Sequence, residues 1–170
     1  MNALANPQVA KELNDDFVST YERVGAFKII NGQKVGGNVA SYFCLSDGTV
    51  IHAIAGQVNA EKLRLEARWA LDVRKRAQSH AANLGTGKID GEKFARYLAN
   101  AHNVRYHAEH REFGGDHNSI PRKMPLVATT TAKTHWLLAS RPGAKIQTVY
   151  PILWRDILNE QLSDLPVDKL

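Results

Sequence analysis

The sequence contains a single cysteine, Cys44, among its 170 residues. One thiol excludes an internal disulfide framework and a Cys-x-x-Cys redox pair. No stretch of about 18 apolar residues is present, so no transmembrane helix is predicted. The N-terminal residues show no basic region followed by an apolar core, which argues against a signal peptide. As written, the chain is expected in the cytoplasm, and a start upstream of Met1 would leave its location open.

Common catalytic and nucleotide-binding motifs are missing as well. The segment Gly85-Thr86-Gly87-Lys88 lacks the spacing and the preceding strand of a phosphate-binding loop. Neither Gly-x-Ser-x-Gly nor His-Glu-x-x-His occurs anywhere in the sequence. We therefore assign no catalytic and no cofactor-binding residue, we predict no cofactor, and the missing motifs favour a protein that is not an enzyme.

What is present is typical of a soluble globular protein, with 44% apolar and 23% charged residues. The length suits one domain, or a small domain with an appendage. The net charge of +5 permits contact with nucleic acid, but the basic residues are interspersed with acidic ones. The densest group, Arg74-Lys75-Arg76, falls at the end of a predicted helix, where cations complement the helix dipole.

A hairpin followed by a helix is the clearest structural pattern. Val39–Leu45 and Val50–Ile54 are predicted strands joined by a turn at Asp47-Gly48. Both strands are apolar at nearly every position, which predicts helices on both faces of the sheet. Asn59 is predicted to cap the next helix. Its apolar stripe comprises Leu63, Ala67, Ala70 and Val73.

Three further elements are predicted before this hairpin. Asn6-Pro7 suits the start of a first helix, since Asn caps well and Pro tolerates the first helical position. The β-branched and aromatic run Phe17–Tyr21 predicts a strand. Asn31-Gly32 predicts a tight hairpin turn.

Mostly helical structure is predicted after residue 82. Asp90 can cap a long helix. Its predicted apolar face comprises Phe94, Tyr97, Leu98, Ala101 and Val104. A last helix is predicted over about Ala144–Gln161, with Pro151 starting or kinking it. The tail Ser163–Leu170 is expected to be loose.

Three segments resemble the thioredoxin superfamily, in the form found in bacterial thioredoxin-related proteins, both in their residue patterns and in their order along the chain. NPQVAKELNDDFV is similar to the second part of the family's redox helix, SYFCLSDGTVI to its β-hairpin, and Asn59-Ala60-Glu61 to the start of its final helix. The resemblance implies an α/β fold over residues 1–82: an incomplete thioredoxin-like sheet with flanking helices, whose first strand and redox motif are absent. Residues 83–170 then form a mostly helical C-terminal appendage.

Two departures from the family bear on function. The Cys-x-x-Cys of the family would precede Met1, and about Val39 stands where the family has a cis-proline. The resemblance therefore implies a non-catalytic thioredoxin-like protein with a binding or structural role. A protein or peptide partner is the natural ligand, because the family's groove receives extended peptides. One alternative is a thiol-disulfide oxidoreductase whose catalytic N-terminus is missing from this chain, and a second is a basic nucleic-acid-associated module. No oligomeric state is predicted.

Cys44 is the candidate thiol. It is flanked by Phe43 and Leu45 in a predicted interior strand. A free cysteine in such a position behaves as a small buried hydrophobe, whereas a reactive one needs exposure and a lowered pKa. The flanking residues favour core packing over a reactive or sensing thiol.

Histidines are the candidate metal ligands. His102, His107, His110 and His117 fall within 16 residues. His107 and His110 are spaced i, i+3, so they could share a helix face and bind zinc with a third ligand. The polar surroundings favour a solvated helix end instead. His52 and His135 stand alone in apolar stretches and are interpreted as structural histidines.

Overall fold

The computed structural model describes residues 3–21, 28–30, 33–35, 38–83, 85–110 and 119–160. These residues form a mixed α/β architecture. Its strands are β1 (Lys28–Ile30), β2 (Gln33–Val35), β3 (Ala40–Cys44) and β4 (Val50–Ala55). A 3₁₀ turn at Ala3–Ala5 precedes α1 (Pro7–Asp16), and the other helices are α2 (Ala60–Ala81), α3 (Gly91–Glu109), α4 (Thr130–Ser140), α5 (Ile146–Ile152) and a π-helix (Leu153–Ile157).

The first helix begins where the sequence predicts. The Asn6 side chain accepts hydrogen bonds from the backbone N–H groups of Gln8 and Val9, and Pro7 occupies the first helical position. The strand predicted over Phe17–Tyr21 is wrong. Phe17 has extended backbone angles, but this segment pairs with no strand in the described part of the chain. The Phe17 ring packs instead against the Phe43 ring, and the two ring centroids are 5.4 Å apart.

Both predicted hairpins form as antiparallel pairs. The β1–β2 pair places Ile30 opposite Gln33, and the Asn31-Gly32 turn lies outside the described residues. The β3–β4 pair turns at Asp47-Gly48, where Gly48 has a φ of 81° that suits glycine. The described strands thus form two separate two-stranded sheets, so the α/β class is confirmed at this coarser level.

The β3–β4 ladder contains a β-bulge. Phe43 lies opposite His52 and Cys44 lies opposite Val50, which leaves Ile51 without a partner in the register. In a regular strand, residues two apart share a face. The extra residue reverses this relation, so that His52 and Val50 face opposite sides of the hairpin.

Helices cover both faces of this hairpin, as predicted. One buried cluster joins β3 and β4 to α1, α2 and the first half of α3 through Phe43, Ile54, Leu63, Ala70 and Leu98, among others. The second joins β4 to α4, α5 and the π-helix through Val50, Ala53, Leu137, Val149 and Trp154, among others. Both clusters contain residues from before and after residue 82. The division of the chain into two domains at this residue stays a prediction.

The buried face of α3 differs from the predicted one. Phe94, Leu98, His102 and Tyr106 are buried at a regular spacing of four residues. Val104 was expected on this face, but 70% of its surface is exposed. The spacing of four places a histidine on the core stripe of the helix, one turn beyond Leu98.

The C-terminal helix changes its winding after Pro151. Proline lacks the N–H that an α-helix interior needs, and the chain here widens into π geometry, with the Leu158 N–H donating to the carbonyl of Leu153. The tail Ser163–Leu170 lies outside the described residues. None of the described helices is both long enough and apolar enough to span a bilayer.

Candidate metal centre

Three histidines from three different elements meet in the core. His52 lies on β4, His102 on α3 and His135 on α4. Their exposed fractions are 2%, 1% and 1%. One ring nitrogen from each lies within 4.8 Å of the others. Fully buried histidines are uncommon without partners, and three in one place call for a chemical explanation.

Hydrogen bonds fix the tautomers of two of these rings. The Nε2 of His102 donates to the carbonyl oxygen of Ile51, at 2.9 Å. Its Nδ1 must then carry a lone pair in the neutral ring. That atom lies 2.8 Å from the Nδ1 of His135, so the His135 Nδ1–H is the donor between them. The lone pair of His102 therefore points to the interior of the cluster.

The third ring is held by a buried carboxylate. The Nε2 of His52 lies 2.9 Å from an oxygen of Glu66, whose side chain is 3% exposed. Glu66 also accepts from Lys62, at 2.8 Å, and from Arg105. Burial raises the pKa of Glu66, but the hydrogen bonds from His52, Lys62 and Arg105 outweigh it and hold that pKa below its usual range. Glu66 is therefore ionised, and His52 donates to it.

The other nitrogen of His52 is left unpaired. Its Nδ1 is buried and has no hydrogen-bond partner among the described residues. Because Nε2 carries the proton given to Glu66, Nδ1 carries a lone pair. An unsatisfied buried acceptor costs roughly 1–3 kcal/mol. A lone pair on a buried imidazole is also what a metal ion coordinates.

All three rings are neutral at physiological pH. Burial, with smaller contributions from the neighbouring His52 and Arg105, lowers the pKa of His102 to about 3. Burial likewise lowers the pKa of His52 and, well below its usual value, that of His135. Neutral imidazole is the form that binds metals. The core thus keeps the three rings ready for coordination.

The centroid separations of the three rings are close to those of a tetrahedral metal site. Zinc binds histidine nitrogen at about 2.0–2.1 Å, which places the centroids of two coordinating rings about 5.2 Å apart and their nitrogens about 3.3 Å apart. The three centroid separations are 5.1, 5.4 and 5.8 Å. The His102 and His135 nitrogens, at 2.8 Å, would separate by about 0.5 Å to accept the ion. His135 would then carry its proton on Nε2.

Two side chains cover the cluster on its outer side. The Trp69 ring meets the three imidazoles edge-on, at centroid distances of 4.8, 5.1 and 5.8 Å. The guanidinium carbon of Arg105 lies 4.4 Å from the centroid of the Trp69 ring. The side chain of Arg105 is 29% exposed, so it connects the cluster to solvent.

The predicted metal candidates lie elsewhere. The Nε2 of His107 is 3.0 Å from the carbonyl oxygen of Ser119, and His110 is the C-cap of α3. Within the described residues, these two do not join a group of three ligands. The pair stays an untested prediction, and His117 lies outside the described residues. The interpretation as a solvated helix end does not hold for His102, which is buried.

The three clustered histidines, which the sequence did not identify as a metal site, showed a partial signal. His102 continues the i, i+4 row that begins at Phe94 and Leu98, and this row marks it as a core residue. His52 and His135 were correctly placed in apolar surroundings. They meet His102 through contacts between residues that are 33 to 51 positions apart along the chain. No local sequence pattern encodes such contacts.

Cys44 is half-buried on β3 and is a free thiol. Burial raises its pKa, and the nearby Asp47 raises it further. The thiol form therefore dominates, whereas thiol chemistry needs the thiolate. The position is consistent with core packing.

Neither a protein-family model, nor a curated protein, nor a solved structure matches this chain. The thioredoxin resemblance therefore stays a prediction, and the chemistry of the histidine cluster rests on its own geometry.

Proposed function

We propose that the protein binds one divalent transition metal ion through His52, His102 and His135, with zinc as the first candidate. The observation that carries this proposal is the unpaired, buried Nδ1 of His52, on one of three buried histidines that each place a ring nitrogen within 4.8 Å of the others. A bound ion would satisfy this atom and repay its desolvation.

The groups around the ligands support the same conclusion. Metal-bound histidines usually donate their other N–H to a carboxylate or a backbone carbonyl, which fixes the ring and raises its basicity. His52 has such a partner in Glu66, and His102 has one in the carbonyl of Ile51. Glu66 satisfies the buried Nε2–H of His52 and at the same time makes its Nδ1 a better metal ligand.

The ligand set indicates an open type of centre. Structural zinc sites are closed by four protein ligands, whereas three histidines leave the fourth position for water or another small ligand. A zinc ion with such a position can polarise a bound water and lower its pKa toward neutrality. Imidazole also suits copper, nickel and iron, so selectivity is set by the geometry of the three rings.

This proposal gives specific content to the non-catalytic binding role that the sequence predicts. The thiol-disulfide alternative draws no support from Cys44, whose burial works against a reactive thiolate. A thioredoxin-related scaffold over residues 1–82 remains our proposal, and the metal would join it to the helical region that supplies His102 and His135.

Metal titration of the full chain tests the proposal. After treatment with a chelator, the protein should bind zinc with one-to-one stoichiometry in calorimetry. His52→Ala and His135→Ala should each weaken binding by more than about 100-fold, because changes to outer partners alone cost 10–100-fold. X-ray absorption of the zinc-loaded protein should show three imidazoles at about 2.0–2.1 Å.

Two controls make this experiment specific. His80→Ala removes an exposed histidine from α2, about 21 Å along the helix from Glu66, and should leave affinity unchanged. The double variant His107→Ala, His110→Ala tests the pair predicted from sequence. If zinc binding were lost in that double variant and retained in His52→Ala and His135→Ala, the proposal would be wrong.

A further inference from the structure

We propose that the metal centre takes a small anion as its fourth ligand and that Arg105 is the second group that binds this anion. The inference rests on the proposed metal function and goes beyond it by naming the class of ligand. The class is a monovalent anion of carboxylate, bicarbonate or azide size.

Local charge is the first argument. Imidazoles coordinate a metal ion in their neutral form. Among the described residues, Glu66 is the carboxylate that contacts His52, Lys62 and Arg105. A divalent metal ion bound here would lie near two cations, Lys62 and Arg105, and one anion, Glu66. Buried charges need partners, so an anionic fourth ligand is favoured over a neutral one.

The position of Arg105 is the second argument. His102 and Arg105 are spaced i, i+3 on α3, so their side chains are neighbours on the helix surface. Glu66 and Trp69 have the same spacing on α2. The two pairs face each other, since Arg105 contacts Glu66 and lies over the Trp69 ring. Arg105 thus contacts Glu66 and Trp69, the two side chains that themselves lie against the histidine rings.

The donors of Arg105 are the third argument. One guanidinium nitrogen donates to Glu66, and among the described residues no other acceptor is bonded to this side chain. A guanidinium carries five N–H groups arranged to match two oxygens of a carboxylate or a similar anion. With 29% of its side chain exposed, Arg105 can meet an anion from solvent and hold it against the metal.

The size limit follows from burial. The three rings are at most 2% exposed, and Trp69 lies within 5.8 Å of each of their centroids. A ligand of more than a few atoms would therefore have to displace Trp69 or one of the rings. The proposed ligand class is accordingly limited to small anions and excludes phosphate esters and peptides.

Cobalt substitution tests this inference with a readout other than activity. The full chain would be loaded with Co²⁺, whose visible spectrum reports its ligands, and titrated with sodium azide at constant ionic strength. Azide should cause a saturable spectral change with one-to-one stoichiometry. Arg105→Gln should weaken azide binding at least about tenfold, because a hydrogen bond to a charged group is lost, while Co²⁺ affinity changes much less. Arg105→Lys should restore part of the azide affinity.

Arg96→Gln is the matched control: it removes the same residue type from the same helix, at an exposed ion pair with Glu92. It should leave azide binding unchanged. The inference would be overturned if Co²⁺ bound and azide left its spectrum unaltered, or if Arg96→Gln weakened azide as much as Arg105→Gln. Failure of Co²⁺ itself to bind would instead overturn the proposed function, and with it this inference.

Discussion

The Nε2 of His102 lies 2.9 Å from the carbonyl oxygen of Ile51, the residue that the β3–β4 ladder leaves without a partner. A bulged residue is a weak point of a ladder, because its backbone groups have no opposite neighbour. Here the imidazole satisfies the carbonyl. The bond in turn directs the lone pair of His102 toward His135, 2.8 Å away between Nδ1 atoms. The irregularity of the strand and the chemistry of the cluster are therefore linked.

Glu66→Gln should weaken zinc binding by about 10–100-fold, the usual cost of changing the outer partner of a metal-bound histidine. The amide keeps the size of the side chain and can still accept from His52, but it removes the charge that makes the ring a better ligand. Calorimetric titration of the chelator-treated protein measures the change. Glu109→Gln is the control, since Glu109 is an exposed carboxylate near the end of α3. Equal affinities for wild type and Glu66→Gln would show that the carboxylate has no part in binding.

Stability of the metal-free protein should fall on mild acidification. The pKa of His102 is about 3 in the folded chain, against an ordinary value of 6.5. Below pH 6.5 the His102 side chain is therefore protonated in the unfolded chain and still neutral in the folded chain. The free energy of unfolding falls as pH falls from about 6.5 toward 3. His102 alone should lower the free energy of unfolding by about 2 kcal/mol between pH 7 and pH 5. Urea denaturation in the presence of a chelator measures this.

The control for this pH profile is a pair of variants. His102→Gln should make it less steep, because the amide does not titrate while the buried His52 and His135 still do, and His80→Ala, at an exposed position, should leave it as in wild type. A wild-type profile that stays level from pH 7 to pH 5 would contradict the assignment of His102 as buried and neutral.

Leu98→Ala should cost about 2–5 kcal/mol of stability, the usual range for emptying a filled core position. Leu98 is 2% exposed and lies on the buried face of α3. Val104→Ala on the same helix should stay within about 0.5 kcal/mol, as is typical for surface positions, since Val104 is 70% exposed. Denaturant unfolding of both variants measures the difference. Similar losses would mean that α3 buries a different face.

The Cys44 thiol should react slowly with a disulfide reagent in the folded protein. Burial raises its pKa, and the thiolate is the reactive form. The rate at pH 8 should rise several-fold when the chain is unfolded in urea, as followed by absorbance of the released aromatic thiol. A folded protein that reacted faster than the unfolded one would support a sensing thiol and revive the oxidoreductase alternative.

Local signals in the sequence predicted most of the elements and their ends. Asn6, Asn59 and Asp90 each cap the helix that they were expected to cap, because a short polar side chain satisfies the free N–H groups of a first turn. The hairpin turn at Asp47-Gly48 was likewise predicted correctly. The strand predicted over Phe17–Tyr21 failed, since β propensity forms a strand only where a partner strand is present.

The sequence by itself determined the caps, the hairpins and the burial of His52 and His135, because each depends on residues within a few positions of one another. The meeting of the three histidines was decided by tertiary structure. One unpartnered residue, Ile51, turns His52 to the face opposite Val50, and α3 and α4 bring His102 and His135 to it from 33 residues apart. Neither event leaves a local pattern, because a ligand set is defined by distances in space, and those distances arise only when the helices pack on the hairpin.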